Sequence, residues 1–182
     1  GSACTIAGQK YAVPVSGTIA HSYVQLHDSE LEAFRSYARV SPDNCILLVD
    51  TYDTLHSGIP NAIKVAQEEK DPTFQGYGIR IDSGDLAYLS KKARKMLDAA
   101  GLTDCKVVVS NSLDEFLIDD LIMQDAKIDT FGVGENMITA KSTPVLGGVY
   151  KVVAHEKDGQ IIPKIKISET AEKTTIPHLK NL

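Results

Sequence analysis

The chain has 182 residues, 43% of them apolar and 24% charged, with 19 basic against 24 acidic side chains and a net charge of −5. That balance predicts a soluble globular domain, or a piece of a larger one, and gives little support to a nucleic-acid surface, because no long basic run is present. No apolar run reaches membrane-spanning length, and Gly1-Ser2-Ala3-Cys4 lacks the basic stretch and apolar core of a secretory signal.

In chain order, Val13-Pro14-Val15 is a short extended segment that leads into a small polar loop, Ser16-Gly17-Thr18-Ile19-Ala20-His21-Ser22. Ser29 and Glu32 have capping-box spacing and open a predicted helix to about residue 39, with Leu31, Phe34 and Ala38 on one face. Ser41-Pro42-Asp43-Asn44 is a turn. Residues 45–49, Cys-Ile-Leu-Leu-Val, are continuously apolar, which suits a strand buried on both faces of a parallel sheet. The strand runs out into Asp50-Thr51-Tyr52-Asp53-Thr54, and a helix follows Gly58 with Pro60 at its start.

A second strand, 77–81, meets Asp82-Ser83-Gly84-Asp85 and a helix over 86–100 that Gly101 closes. Lys91, Lys92, Arg94 and Lys95 read as a solvated face of that helix. A third strand, 106–109, ends in Ser110-Asn111. Ser112 with Glu115 then predicts a second capping box for a helix over 113–124. A fourth strand, 128–133, ends in Gly134-Glu135-Asn136. Strands over 145–154 and 161–167 form a hairpin about Lys157-Asp158-Gly159, and the polar tail 168–182 carries no regular structure.

Strand and helix alternate, with strand starts roughly every 23–32 residues, as βαβ units require. The predicted fold is α/β: residues 1–148 form part of a TIM-like (β/α) barrel, and 149–182 form the hairpin and tail. Fewer than eight strands can be counted. Four successive strands hand over to Asp50, Asp82, Ser110-Asn111 and Gly134-Glu135, which a parallel barrel would gather on one rim.

The residue types at that rim suit phosphate and ribose chemistry. Gly132-x-Gly134 and Gly147-Gly148 read either as ordinary loop glycines or as backbone amides presented to a phosphate. Asp50, Asp82 and Asp85 read as ligands of Mg²⁺ or of ribose hydroxyls, with Asp85 equally readable as the cap of its helix. His21 reads as a packed surface residue, or as a nucleophile if Asp50 lies beside it and fixes its tautomer. His27, His56, His155 and His178 read as surface residues. Cys4, Cys45 and Cys105 form no C-x-x-C pair. Cys45 and Cys105 lead into apolar runs, so buried free thiols and a reducing cytoplasm are expected.

Together, Gly17-Thr18-x-Ala20-His21-Ser22, Val49-Asp50-Thr51-Tyr52, Gly78-x-Arg80-x-Asp82-Ser83-Gly84-Asp85-Leu86, Val109-Ser110-Asn111, Phe131-Gly132-Val133-Gly134 and Leu146-Gly147-Gly148-Val149-Tyr150-Lys151 appear in order. This ordered set closely resembles nicotinate phosphoribosyltransferase, from near residue 1 to about residue 176. The related nicotinamide and quinolinate enzymes share the fold and stand as alternatives, as does a non-catalytic phosphate-binding module.

The resemblance implies an enzyme that joins nicotinate to phosphoribosyl pyrophosphate, coupled to ATP hydrolysis with Mg²⁺. It implies a phosphorylated His21 with Asp50 as its neighbouring acid. Thr18 and Ser22 would lie beside that histidine, with Arg80, Asp82, Ser83 and Gly84 around base, ribose and pyrophosphate. Ser110 and Asn111 would lie at the ribose side, and Gly132, Gly134 and Glu135 at the 5′-phosphate. Related enzymes carry glycine at the position of Glu135. Lys151 would reach a phosphate across a homodimer interface. The paired arginines that grip the nicotinate carboxylate in the family fall upstream of residue 1, along with the N-terminal domain and first barrel strands. The segment alone is therefore expected to be inactive.

Overall fold

The computed structural model describes residues 2–69, 76–139, 146, 150–167 and 176. Among these residues, seven α-helices and six strands run in the order α1 (Thr5–Tyr11), α2 (His21–Leu26), α3 (Glu30–Val40), β1 (Ile46–Leu48), α4 (Ile59–Glu68), β2 (Gly78–Ile81), α5 (Leu86–Ala99), β3 (Lys106–Val109), α6 (Glu115–Met123), β4 (Thr130–Phe131), α7 (Glu135–Ile138), β5 (Ala154–Lys157) and β6 (Gln160–Pro163). Strands β1 to β4 form one parallel sheet in sequence order, with Ile46 opposite Gly78, Gly78 opposite Lys106 and Val108 opposite Thr130. Strands β5 and β6 form a separate antiparallel hairpin, tied by Lys157 opposite Gln160.

The apolar runs explain the sheet. Leu47, Leu48, Val49, Ile79, Ile81, Val107 and Val109 are fully buried, as strands covered on both faces must be. Phe34 of α3, Ile59 and Ala62 of α4, and Ala93 and Leu97 of α5 complete the same core. Cys45 and Cys105 are buried free thiols, as expected, and burial pushes each up to about 12. No helix among the described residues is long and apolar enough to cross a membrane.

The helix starts follow local chemistry. Ser29 Oγ accepts from Glu32 N at 3.2 Å, and Asp85 Oδ1 accepts from Tyr88 N at 2.9 Å, so Asp85 is the cap of α5. Between β1 and α4 lies a π-helical turn, Thr54–Gly58, capped by Asp53, which accepts from Leu55 N and His56 N. The turn exists because Gly58 lacks a side chain: a Cβ there would lie 1.8 Å from the Val49 carbonyl oxygen.

Several expectations need correction. The α6 cap is Asp114, whose carboxylate accepts from Leu117 N at 2.9 Å. Ser112 instead sits with Asn111 in left-handed backbone, at φ 51° and 105°, so the helix starts two residues later than expected. His21 opens helix α2 rather than lying in a loop; six residues are too few for apolar spacing to reveal a helix in the sequence. The fourth strand shrinks to Thr130–Phe131. Arg94 is no solvated residue: it donates to the carbonyls of Leu102 and Cys105, each at 2.6 Å, and fastens the turn after α5. The strand expected over 145–154 begins only at Ala154 within the described residues; Val145 and residues 147–149 lie outside them, as does nearly all of the tail.

Candidate functional site at the strand ends

The carboxyl ends of β1, β2 and β3 bring one polar network together. Asp82, immediately after β2, is its hub: Ser110 Oγ, after β3, donates to Asp82 Oδ1, and Arg80 Nη2 lies 3.4 Å from the same oxygen. Arg80 Nε donates to Ser110 Oγ at 3.0 Å, closing a triangle of three side chains. The other carboxylate oxygen, Oδ2, lies 3.7 Å from His21 Nε2, an ion-pair distance beyond hydrogen-bond reach. Register explains this: Arg80 pairs with Val108 and Ile81 with Val109, so Asp82 and Ser110 emerge side by side.

His21 is therefore held differently from the expectation. Asp82, not Asp50, is the carboxylate that faces its ring, and its Nδ1 lies 3.1 Å from Thr51 Oγ1. Asp50 is engaged elsewhere: Ser83 Oγ donates to Asp50 Oδ2. Asp50 and Thr51 both lie in the segment that follows β1, where Asp50 takes Ser83 as its partner and Thr51 takes His21. Asp50 is only 3% exposed, and its Oδ1 is buried with no hydrogen-bond partner among the described residues. A cavity of about 290 Å³ opens beside it, lined by Asp50, Tyr52, Leu55, Ser83, Leu89 and Ile167.

The remaining expected residues divide into two groups. Gly84, at φ 77°, makes the turn that lets Ser83 point back at Asp50 while Asp85 caps α5. Thr18 donates to the Ile46 carbonyl and so fixes the segment before α2 to the foot of β1. Ser22 is half-buried in α2 and Asn111 half-buried beside Ser110. Gly132, Gly134 and Glu135 are exposed at the end of β4, with Gly134 capping the short α7. Lys151 is half-buried ahead of the hairpin, and no contact among the described residues joins it to the network.

Sequence reading missed two participants. Thr51 was visible in a polar run and in the Val49-Asp50-Thr51-Tyr52 motif, but with no role of its own. Glu30 was legible only as a first-turn acid, yet it is 5% exposed and accepts from Ser57 Oγ at 2.6 Å and Asn61 Nδ2 at 2.9 Å. Burial pushes the Glu30 carboxyl above the usual range, against the pull of those two donors.

As to a metal, no three His, Cys, Asp or Glu side chains among the described residues are grouped to hold one. Of the two carboxylates expected to hold Mg²⁺, Asp50 has its Oδ1 buried without a hydrogen-bond partner among the described residues, and Asp82 faces Ser110, Arg80 and His21.

The fold and the site first define a class: a parallel α/β segment whose polar residues converge at the carboxyl ends of consecutive strands, where such folds bind ligands. No family model matches the chain. A nicotinate phosphoribosyltransferase of Bacillus subtilis is 56% identical over 176 residues, covering 97% of this chain and 36% of the relative. The crystal structure of human nicotinic acid phosphoribosyltransferase superposes with a TM-score of 0.64 at 27% identity, over 72% of this chain and 37% of that one. The nicotinate phosphoribosyltransferase of Porphyromonas gingivalis, at 22% identity and a TM-score of 0.68, shares the fold over 92% of this chain and 46% of its own. The chain belongs to the nicotinate phosphoribosyltransferase family, and it spans about a third of the length of the curated relatives it matches.

Proposed function

We propose that this chain is a segment of an enzyme that joins nicotinate to phosphoribosyl pyrophosphate, releasing pyrophosphate and nicotinate mononucleotide, with ATP hydrolysed alongside, in pyridine nucleotide salvage. The observation that carries this reading is the joining of His21, Asp82, Arg80 and Ser110 at adjacent strand ends, within a segment 56% identical to a nicotinate phosphoribosyltransferase.

Each residue then has a role. His21 accepts a phosphoryl group from ATP, and its ring, 16% exposed, can be reached from solvent. Bond breaking at the ribose anomeric carbon develops positive charge on the sugar and negative charge on the leaving pyrophosphate. Asp82 answers the first and the Arg80 guanidinium the second. Ser110 holds both side chains in register, and Asn111 stands beside it for a ribose hydroxyl. Mg²⁺, brought in with the phosphates, would be held by Asp50 and Asp82 and would neutralise the departing charge. Gly132, Gly134 and Glu135 would meet the 5′-phosphate, and Lys151 a phosphate across a homodimer interface.

Residues 1–148, which include the parallel sheet, are read as part of a TIM-like barrel, with 149–182 as a hairpin and tail. The segment by itself is read as inactive, since it spans about a third of the length of the curated relatives it matches, and the whole enzyme as cytoplasmic. The test is ATP-dependent labelling of the full-length protein with γ-labelled ATP. Label that disappears in His21→Ala supports the reading, and label that survives the substitution refutes the phosphohistidine assignment.

A further inference from the structure

We propose that Thr51 is the positioning residue for His21, holding the imidazole by Nδ1 so that Nε2 is the nitrogen that reacts. This rests on the reading of His21 as a phosphoryl acceptor. Thr51 is fully buried, and its Oγ1 lies 3.1 Å from His21 Nδ1. The two residues sit 30 positions apart, so the contact is made by the fold and not by local chain geometry. The Nδ1 edge of the ring is thus closed by a buried hydroxyl. The Nε2 edge faces Asp82, whose side chain is 23% exposed, and is the edge a reactant can approach.

One tautomer of the ring fits this arrangement and leaves the reactive nitrogen free. A neutral imidazole has one N–H and one lone pair. When Nδ1–H donates to Thr51 Oγ1, the lone pair is left on Nε2. The Nε2–phosphorus bond then forms as the bond from γ-phosphorus to its bridging oxygen breaks. ADP leaves with that electron pair, and the Nδ1 proton stays on the ring, still donated to Thr51. The ring becomes positive in this step, and Asp82 Oδ2 at 3.7 Å stabilises that charge without occupying Nε2. Asp50 cannot serve in place of Thr51 here, because its carboxylate is turned to Ser83. A threonine hydroxyl also suits the task better than a carboxylate would, since it orients the ring without adding a second negative charge beside an incoming phosphoryl group.

The experiment compares Thr51→Val and Thr51→Ser in the full-length protein. Valine keeps the shape and removes the hydrogen bond. His21 labelling by ATP should slow about ten- to hundredfold in Thr51→Val, as expected for one hydrogen bond to a group that becomes charged, with little change in KM for ATP. Serine should restore the rate to within about threefold of the parent. The phosphoryl group in the parent should reside on Nε2, as read by nuclear magnetic resonance of the phosphoprotein. Parental labelling of Thr51→Val, a serine variant no better than valine, or a phosphoryl group on Nδ1 would each overturn the proposal. If the parent takes up no label at His21, the functional reading fails. Thr51 is then judged from the ¹⁵N resonances of the His21 ring in the unmodified protein. A shift away from the Nδ1-protonated tautomer in Thr51→Val upholds its positioning role, and unchanged ring resonances refute it.

Discussion

Replacing Asp82 by asparagine separates the site from the scaffold, because it keeps the shape of the hub and removes its charge. Two interactions are weakened. The Arg80–Asp82 pair at 3.4 Å corresponds to a gross attraction of about 5 kcal/mol at an effective dielectric near 20. Its side chains are 22% and 23% exposed, so solvation and screening leave a net value of about 1 kcal/mol. The Ser110 hydrogen bond survives to the amide oxygen but loses its ionic acceptor, which costs about 1 kcal/mol more. The full-length protein should therefore lose about 2 kcal/mol of stability, read as a lower denaturant midpoint with an unchanged slope. Turnover should fall much further, by about a hundred- to a thousandfold, because the charge is needed where positive charge develops in the reaction. Steady-state nicotinate mononucleotide synthesis by the folded variant is the assay. Turnover within about tenfold of the parent, or a stability loss above about 4 kcal/mol with parental turnover, would show Asp82 to be a structural residue.

Two further outcomes probe the scaffold behind the site. Gly58→Ala places a methyl group 1.8 Å from the Val49 carbonyl oxygen, one residue before Asp50, so it should destabilise by about 3 kcal/mol or more. Unfolding titrations showing a loss under about 1 kcal/mol would mean the π-helical turn shifts freely. Glu30 tests the electrostatics: its folded carboxyl titrates above the unfolded one, so the folded state holds the extra proton between the two values. Stability contributed by Glu30 is thus complete below the ordinary glutamate value of about 4.3 and is lost as pH rises through the folded value. Glu30→Gln should flatten that part of the stability–pH profile, and a profile that keeps its slope would exclude Glu30 as the cause.

The legible features were those whose cause is local. The continuously apolar run at 45–49 and the three valines at 107–109 marked buried strands, and β1 and β3 lie there. Asp85 read as both cap and ligand, and the hydrogen bond to Tyr88 N decides for the cap. Ser112 misled because its spacing to Glu115 is right for a capping box, while left-handed backbone at Asn111 and Ser112 moves the cap to Asp114. Helix α2 was not legible, since six residues carry too little periodicity to outweigh a glycine- and serine-rich neighbourhood.

The sequence by itself determined that the chain is α/β, that its polar residues stand where strands end, and which family it resembles, because alternation of apolar runs with turn chemistry is a one-dimensional property. What only the tertiary structure decided is who touches whom. Register between β2 and β3 sets Arg80, Asp82 and Ser110 in one triangle. The first residue of α2 meets the segment after β1, which gives His21 to Thr51 and Asp82, while Asp50 goes to Ser83. Asp50 and Thr51 are one position apart in sequence, yet the tertiary structure seats each against a different partner, because those partners come from segments remote in the chain.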